Sequence, residues 1–135
     1  MKFISAEEFL KQDEDVQRVF TDYFDHKEIL FEDGSIYFGT FNYLYTPLLT
    51  EGDLREFIED KTGGIETIEH FKEYDIRTLP LVGGIYGNDI YKDLGNDLLQ
   101  AYWKVAIEIA KRLKWYKPVK EKQKIKTAQC FRLSN

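Results

Sequence analysis

The sequence predicts an α+β domain in which helices cover one face of a small antiparallel sheet. Segments whose apolar residues recur three and four positions apart, typical of amphipathic helices, are interrupted by β-rich segments. Asp33-Gly34 separates two β-rich runs, the arrangement of a tight hairpin turn. The predicted order is helix, helix, hairpin, helix, second hairpin and long helix, which favours helices segregated to one side of the sheet.

The N-terminal part is predicted to form two helices. Ser5 and Glu8 in "ISAEEFLK" have the spacing of a capping box. The next segment, "DEDVQRVFTDYF", begins with acidic residues 13–15, which favour the positive end of a helix dipole. Its apolar side chains share one helical face: Val16, Val19, Phe20, Tyr23 and Phe24.

A hairpin and a third helix are predicted next. The hairpin strands are residues 29–31 and 36–41. In "TEGDLREFIEDKTGG", Thr50 is the predicted N-cap and Gly63 or Gly64 the predicted left-handed stop. The apolar stripe of this helix consists of Leu54, Phe57 and Ile58.

Residues 65–74 leave two alternatives open. Ile65, Ile68 and Phe71 recur every three residues, which permits a helix. The following "DIRTLPLV" reads as extended, and its proline blocks a helix there, so a second hairpin is favoured.

The last predicted element is a long helix in "NDLLQAYWKVAIEIAKRLKWY". Asn96 or Asp97 is its predicted N-cap, and Pro118 ends it. We expect Leu99, Tyr102, Ala106 and Ile109 to face the core. The whole apolar face consists of Leu98, Leu99, Tyr102, Ala106, Ile109, Ala110 and Leu113.

Length and composition indicate one soluble domain. The chain has 135 residues, of which 43% are hydrophobic and 32% charged. The single cysteine excludes an internal disulfide framework and favours a reducing compartment. No apolar run is long enough to span a membrane, and the N-terminus lacks the apolar core of a signal peptide, so we expect a cytoplasmic protein.

The net charge of −5 conceals an asymmetry. Residues 1–110 carry ten basic and 23 acidic side chains, a balance of −13, whereas the chain from Lys111 onward carries nine basic residues and one acid, a balance of +8. We therefore divide the chain into an α+β domain, residues 1–116, and a basic C-terminal tail, residues 117–135.

Few residues indicate catalysis. His26, His70 and Cys130 are scattered and lack metal-ligand spacing or a neighbouring base, so we expect no metal, no cofactor and no enzymatic activity. The glycines of "LVGGIYGND" lack the spacing of a phosphate loop. A glycine-rich turn is the favoured interpretation, and a loop that lets a ligand approach the backbone is the alternative.

Tyrosines and lysines are the candidate binding residues. Tyrosine presents a large apolar area with one polar tip, and it is enriched at binding surfaces. Lysines of the C-terminal stretch could neutralise phosphates. The candidates are Tyr43, Tyr45, Tyr86, Lys114, Lys117, Lys120, Lys122, Lys124 and Lys126.

Three phrases carry a resemblance: "FISAEEFLK…VQ", "PLLTEGDLREFIEDKTG" and "DLLQAYWKVAIEIAK". Together they resemble a family of small proteins encoded in phages and prophages of Gram-positive bacteria. The resemblance covers about residues 2 to 111 and implies no catalytic residue, because we know of no activity attached to that family. It implies an accessory phage protein in the cytoplasm of an infected bacterium. The stretch from Lys111 onward departs from the family pattern.

Two functions in different classes follow. The leading hypothesis is a non-enzymatic protein that binds and inhibits a host defence protein, as an anti-CRISPR does, with an acidic body complementary to a basic groove. The alternative is a nucleic-acid-binding accessory protein that uses the basic tail, with Trp115 and Tyr116 available to stack on bases. An enzyme or small-ligand binder centred on "GGIYGND" ranks last. A homodimer is compatible with the sequence.

The tail itself has three interpretations. "VKEKQKIKTAQCFRL" alternates weakly, which favours an edge strand lying on the acidic body of the same chain or of a neighbour. The other two are a nucleic-acid-binding arm and a disordered arm. The first is favoured because an acidic surface is available in the same chain.

Overall fold

The computed structural model describes residues 2–37, 46–80 and 89–114, which have the predicted α+β architecture. The described helices are α1 (Ala6–Leu10), α2 (Glu14–Phe24), α3 (Glu51–Lys61) and α4 (Leu98–Lys114). The described strands are β1 (Ile29–Leu30), β2 (Ile36–Tyr37), β3 (Ile65–His70), β4 (Tyr74–Thr78) and β5 (Ile90–Tyr91).

The helix starts follow the predicted caps. Thr50 and Asp53 form a reciprocal capping box at α3, with bonds of 3.2 and 3.0 Å. At α4, Asp97 Oδ1 accepts a hydrogen bond of 3.0 Å from the Leu99 amide. Asp97, the second of the two predicted candidates, therefore caps this helix.

At α1 the Ser5 hydroxyl accepts from the Glu8 amide at 3.2 Å, which is one half of the predicted box. The Glu8 carboxylate instead accepts a hydrogen bond of 3.3 Å from Gln100 Nε2. Glu8 therefore links α1 to α4, a contact that local sequence spacing does not reveal.

The first predicted hairpin is present as the antiparallel pair β1–β2. Gly34 has φ +91, and Asp33 Oδ1 accepts a hydrogen bond of 3.0 Å from the Ser35 amide. These two residues form the predicted turn, because glycine tolerates a positive φ and the aspartate side chain bonds to the turn backbone. Residues 38–41 of the predicted second strand lie outside the described residues. Pro47 lies opposite Phe31 in an isolated bridge, where its missing N–H costs no hydrogen bond.

The second hairpin is confirmed, and the helical alternative for residues 65–74 is wrong. Strands β3, β4 and β5 form a three-stranded antiparallel sheet in that order. A register shift between Ile65 and Thr67 inserts one extra residue. Ile65 and Ile68 therefore both pack against the core, although their three-residue spacing suggested a helix. Strand β5 was not predicted.

The core is aromatic and centred on α4, which contacts α2, α3 and β4. The Phe20 ring lies 4.8 Å from that of Phe57 and 5.3 Å from that of Trp103, measured between centroids. The predicted core residues of α4 are all buried: Leu99, Tyr102, Ala106 and Ile109.

The predicted boundary at residue 117, the basic tail and its edge strand lie outside the described residues. Among the helices that are described, none is long and apolar enough to cross a membrane.

Candidate binding surface on the three-stranded sheet

The residues that the sequence nominated for binding fall almost entirely outside the described part of the chain. Lys114 is the last residue of α4, and its side chain is not described. The other nominated residues lie in segments that are not described: Tyr43, Tyr45, Tyr86, Lys117, Lys120, Lys122, Lys124 and Lys126. Among the described residues, the β3–β4 hairpin is the main candidate for a binding surface.

The turn of this hairpin is fixed to the segment that precedes α4. We call residues 70–74 the hairpin tip. The Tyr74 amide donates to the Gly95 carbonyl at 2.8 Å, and the Leu94 amide donates to the Tyr74 carbonyl at 3.0 Å. The Glu73 carboxylate accepts a further hydrogen bond of 2.9 Å from the Gly95 amide. Three hydrogen bonds therefore hold one side of the turn.

His70 secures the other side of the tip. Its Nε2 lies 2.7 Å from Asn96 Oδ1, and its ring lies 4.4 Å from that of Tyr74. Through the ring contact with Tyr74, the imidazole joins the end of β3 to the start of β4. Through the polar contact with Asn96, it also joins the end of β3 to the segment before α4. The tip is thus fixed from both strands.

Phe71 projects from this fixed turn into solvent. Its side chain is 84% exposed, compared with 62% for Ile36 and 56% for Leu10, the next most exposed large hydrophobic residues among those described. Single exposed apolar residues are ordinary on protein surfaces. An almost fully exposed phenylalanine on an anchored turn is less ordinary, because the turn gains nothing from it in the isolated chain.

The outer face of the sheet, turned away from α4, is polar and shallowly concave. It contains a depression of about 190 Å³. Within it Glu69 and Asp75 lie directly opposite each other on neighbouring strands. Like charges in this position destabilise a sheet. The depression is lined by Thr67, Glu69, Asp75, Ile76, Arg77, Ile90 and Lys92.

Beneath the sheet, two buried hydroxyl oxygens have no hydrogen-bond partner among the described residues: Thr78 Oγ1 and Tyr91 Oη. Burial also raises the pKa of the Tyr91 hydroxyl. At the same end of the sheet, Arg112 pairs with Asp89 at 2.5 Å, which joins the end of α4 to the start of β5. A buried hydroxyl without a hydrogen-bond partner lowers stability. Among the described residues, the hydrogen bonding of buried groups is therefore less complete in the sheet than in the helical core.

A second charged cluster joins α2 to α3. The Tyr23 hydroxyl donates to Asp60 at 2.5 Å, while the ammonium groups of Lys27 and Lys61 lie 4.9 and 5.2 Å from the Tyr23 ring centre. Lys27 also pairs with Glu56 at 3.1 Å. Burial, together with the bond to Asp60, raises the pKa of the Tyr23 hydroxyl well above its usual value.

Beside this cluster is an open depression of about 340 Å³ lined by Phe24, Lys27, Glu28, Asp53 and Glu56. Burial raises the pKa of the Asp53 carboxyl, but Asp53 is already engaged as part of the α3 capping box. The groups of this cluster therefore satisfy one another and connect two helices, which is a structural role.

The two histidines are not brought together. His26 is exposed and lies 3.6 Å from Asp25, while His70 belongs to the hairpin tip. Among the residues that the structure describes, no group of three or more His, Cys, Asp or Glu side chains could hold a metal ion.

No family model, curated protein or solved structure matches this chain. The hairpin tip was missed at the sequence level because Phe71 completed an apparent three-residue period with Ile65 and Ile68. The available signal was an apolar residue within the otherwise polar turn "EHFKEYD" between two β-rich runs. Once the hairpin is accepted, Phe71 falls at the turn, where it has no core to enter.

Proposed function

We propose that this protein is a non-enzymatic binding protein that occupies a surface of another protein, with the hairpin tip as its central contact. The observation that carries this proposal is the 84% exposure of Phe71 on a turn fixed by hydrogen bonds on both sides. Aromatic side chains at the centre of an interface often contribute most of the binding free energy.

The anchoring of the tip matters as much as the exposure of the ring. A side chain presented by a mobile loop loses conformational entropy when it binds, and that loss reduces affinity. The contacts of Tyr74 and His70 hold the turn in one conformation before any partner arrives. Most of the free energy released by burying Phe71 would therefore be available for binding.

The charge of the body supports a partner with a basic surface. Residues 1–110 carry a balance of −13, and residues 69–75, which include the tip, contain three acidic side chains and one lysine. Complementary charge accelerates association and excludes wrong partners. We infer a partner that offers an apolar pocket with a basic rim.

The resemblance to phage and prophage proteins supports a host protein in the cytoplasm of an infected bacterium as that partner. In the sharpest form of the proposal, the protein is an anti-CRISPR-like inhibitor that covers a basic groove where a defence protein normally holds nucleic acid. The acidic body then competes with the phosphate backbone for the same groove.

The experiment is affinity capture from a host lysate with the tagged full-length chain, with and without nuclease treatment. We expect one protein at near-stoichiometric yield that survives nuclease. We expect Phe71→Ala to lose it and Leu10→Ala, a matched change at another exposed apolar side chain, to retain it. Capture that disappears with nuclease would instead support the nucleic-acid-binding alternative through the tail.

A further inference from the structure

Strand β3 lies at one end of the sheet in the described part of the chain, because the strand order is β3-β4-β5. The Thr78 amide of β4 donates to the Asp89 carbonyl, on the β5 side. Backbone groups of an antiparallel strand alternate in direction, so those of residues 75 and 77 point towards β3. Among the described residues no strand lies on the other side of β3, and an edge of this kind accepts a further strand.

The same alternation identifies which backbone groups of β3 are unpaired. Thr67 and Glu69 lie opposite residues 77 and 75, so their N–H and C=O groups are directed at β4. The N–H and C=O groups of Ile68 and His70 are therefore directed away from β4, at the open edge. A strand that pairs with this edge must place its own outward groups opposite Ile68 or His70.

The open edge is short and is bounded at both ends. A register shift between Ile65 and Thr67 makes the start of β3 irregular, and the hairpin turn begins at Phe71. Only residues 67–70 therefore form a regular edge. They include neither proline nor lysine, two residue types that protect sheet edges against pairing. The edge thus permits one short pairing, which the bulge stops from extending.

A second copy of β3 can pair with this edge about a two-fold axis in three registers that keep outward groups opposite each other. If Ile68 lies opposite His70 of the second copy, the two Glu69 side chains face each other, and like charges in this position destabilise a sheet. If the two His70 residues are paired, the neighbouring positions fall in the turn. If the two Ile68 residues are paired, Thr67 lies opposite Glu69 of the second copy and no like charges meet.

The Ile68 register also provides contacts for groups that are left open in the single chain. The Ile68 side chain packs against the core but is only half-buried, and its counterpart in the second copy covers it further. The Glu69 carboxylate is exposed and forms no hydrogen bond or ion pair within the described part of the chain. In this register the Thr67 hydroxyl of the second copy can donate to it.

Two charged groups of the outer face lie away from the edge and do not oppose this pairing. Asp75 faces Glu69 within the chain, but its Oδ1 already accepts a hydrogen bond of 3.1 Å from the Asp93 amide, on the β5 side. Lys92 follows β5, at the opposite side of the sheet from the open edge. Neither group lies next to a second copy, so neither decides its register.

Arg77, the other cation of this face, favours the Ile68 register. It lies opposite Thr67 in the chain, and its Nε is 4.0 Å from Glu66 Oε1, a long contact for an ion pair. In the Ile68 register, Arg77, Thr67 and Glu69 of the second copy occupy one row across three neighbouring strands. A cation and a carboxylate therefore lie on the same row of the outer face, where their charges attract.

We propose that two copies of this chain form a dimer in which their β3 strands pair antiparallel about a two-fold axis at Ile68. The pairing joins two three-stranded sheets into one sheet of six strands. Because few residues are paired, the interface is small, and we expect a dissociation constant on the order of 100 μM. The two hairpin tips then lie at opposite ends of the pair, about 20 Å apart along the strands. The inference does not depend on the proposed function, because Phe71 lies outside the paired residues.

Sedimentation equilibrium of the full-length chain from about 5 to about 500 μM tests whether the dimer forms, because this range brackets the expected dissociation constant. We expect the average mass to rise from that of one chain towards that of two. In NMR spectra over the upper part of this range, the amide signals of residues 67–69 should shift with concentration, and that of Ile109 in the helical core should not. A constant mass of one chain, or shifts confined to residues away from β3, would overturn the proposal.

A charge exchange tests the register. Thr67→Glu places a carboxylate opposite Glu69 of the second copy, and it should weaken the dimer about tenfold, because the two-fold axis repeats the repulsion. Adding Glu69→Lys puts opposite charges at both places and should restore the affinity to within about threefold of that of the unmodified chain. Lys11→Gln makes the same change of net charge as Thr67→Glu at an exposed side chain that follows α1, and it should leave the dimer unchanged.

All the substituted side chains are exposed, so we expect the three variants to melt as the unmodified chain does. A change in affinity then reports on the interface. A dimer that Thr67→Glu weakens no more than Lys11→Gln does would show that the copies associate through another surface. A loss that Glu69→Lys does not restore would contradict the pairing at Ile68.

Discussion

The helical layer and the three-stranded sheet differ in how far their phenylalanine side chains are buried. In the helices, Phe20 and Phe57 are fully buried and pack on each other, whereas in the sheet Phe71 is 84% exposed. The helix starts at Thr50 and Asp97 have satisfied caps. The sheet places Glu69 opposite Asp75 and leaves the buried Thr78 hydroxyl without a partner among the described residues.

This difference distinguishes the helical layer, which provides most of the buried core, from the hairpin that we propose for recognition. In the helical layer, helix periodicity, capping and burial all favour the same structure, as expected for residues whose role is in folding alone. In the sheet, several local rules are broken within one hairpin and its neighbours. Such departures are tolerated most often where a surface has another task.

The largest expected effect is at the centre of the helical layer. Ile109→Asp places a carboxylate at a fully buried position in α4 and should cost about 5 kcal/mol or more, enough to unfold the domain. Circular dichroism and thermal melting measure this directly. The neighbouring exposed Glu108→Ala is the control and should change stability by less than about 0.5 kcal/mol. A folded Ile109→Asp variant with an unchanged melting curve would contradict the assigned core.

The same substitution in the two regions should have very different consequences. Phe57→Ala should lower the free energy of unfolding by about 3–5 kcal/mol, because it removes a buried ring and leaves a cavity. Phe71→Ala should lower it by less than about 0.5 kcal/mol, because the ring is already in solvent. Urea titration of both variants measures the contrast. Similar losses in the two variants would show that Phe71 belongs to the core.

Removing a buried hydroxyl in the sheet should raise the free energy of unfolding, in contrast to the substitutions above. Thr78→Val keeps the branched shape and removes an oxygen that has no partner among the described residues. We expect the free energy of unfolding to rise by about 1 kcal/mol. The matched change Thr62→Val should destabilise the protein, because the Thr62 hydroxyl donates to the Ile58 carbonyl at 2.7 Å. A destabilised Thr78→Val variant would mean that its hydroxyl is satisfied in solution.

The smallest expected effect is visible only at alkaline pH. The pKa of Tyr23 is raised, mainly by burial and then by its bond to Asp60. Above pH about 10, the usual tyrosine pKa, the unfolded chain ionises this hydroxyl while the folded protein keeps it neutral. The stability that Tyr23 provides is therefore complete below pH 10 and declines above it. The difference in the free energy of unfolding between Tyr23→Phe and the unmodified chain should be constant from pH 7 to about 9 and should narrow between pH 10 and 11. A difference that stays constant up to pH 11 would refute the raised pKa.

The sequence anticipated the helical layer better than the sheet. The apolar face around Ile109 and the caps at Thr50 and Asp97 are local patterns, and the structure bears them out. Strand β5 was missed because a two-residue strand has no periodicity to detect. The bulge between Ile65 and Thr67 gave β3 a spacing that resembles a helix, and only tertiary pairing reveals it.

The candidate surface could not have been assembled from the sequence. His70 and Asn96 are far apart in the chain, and their contact depends on how the β3–β4 hairpin folds towards the start of α4. The exposure of Phe71 follows from the same geometry. The residues first nominated for binding, such as Tyr43 and Lys122, were chosen by residue type, and their roles stay predictions.

The affinity of Phe71→Ala for the captured partner tests the central claim most directly. Isothermal titration should give a dissociation constant at least about 30-fold weaker than that of the unmodified chain, the loss of about 2 kcal/mol expected for an aromatic anchor. Leu10→Ala, an equally simple truncation on the helical layer, should stay within about threefold. Equal affinities for Phe71→Ala and the unmodified chain, with both proteins folded, would contradict the assignment of recognition to the hairpin tip.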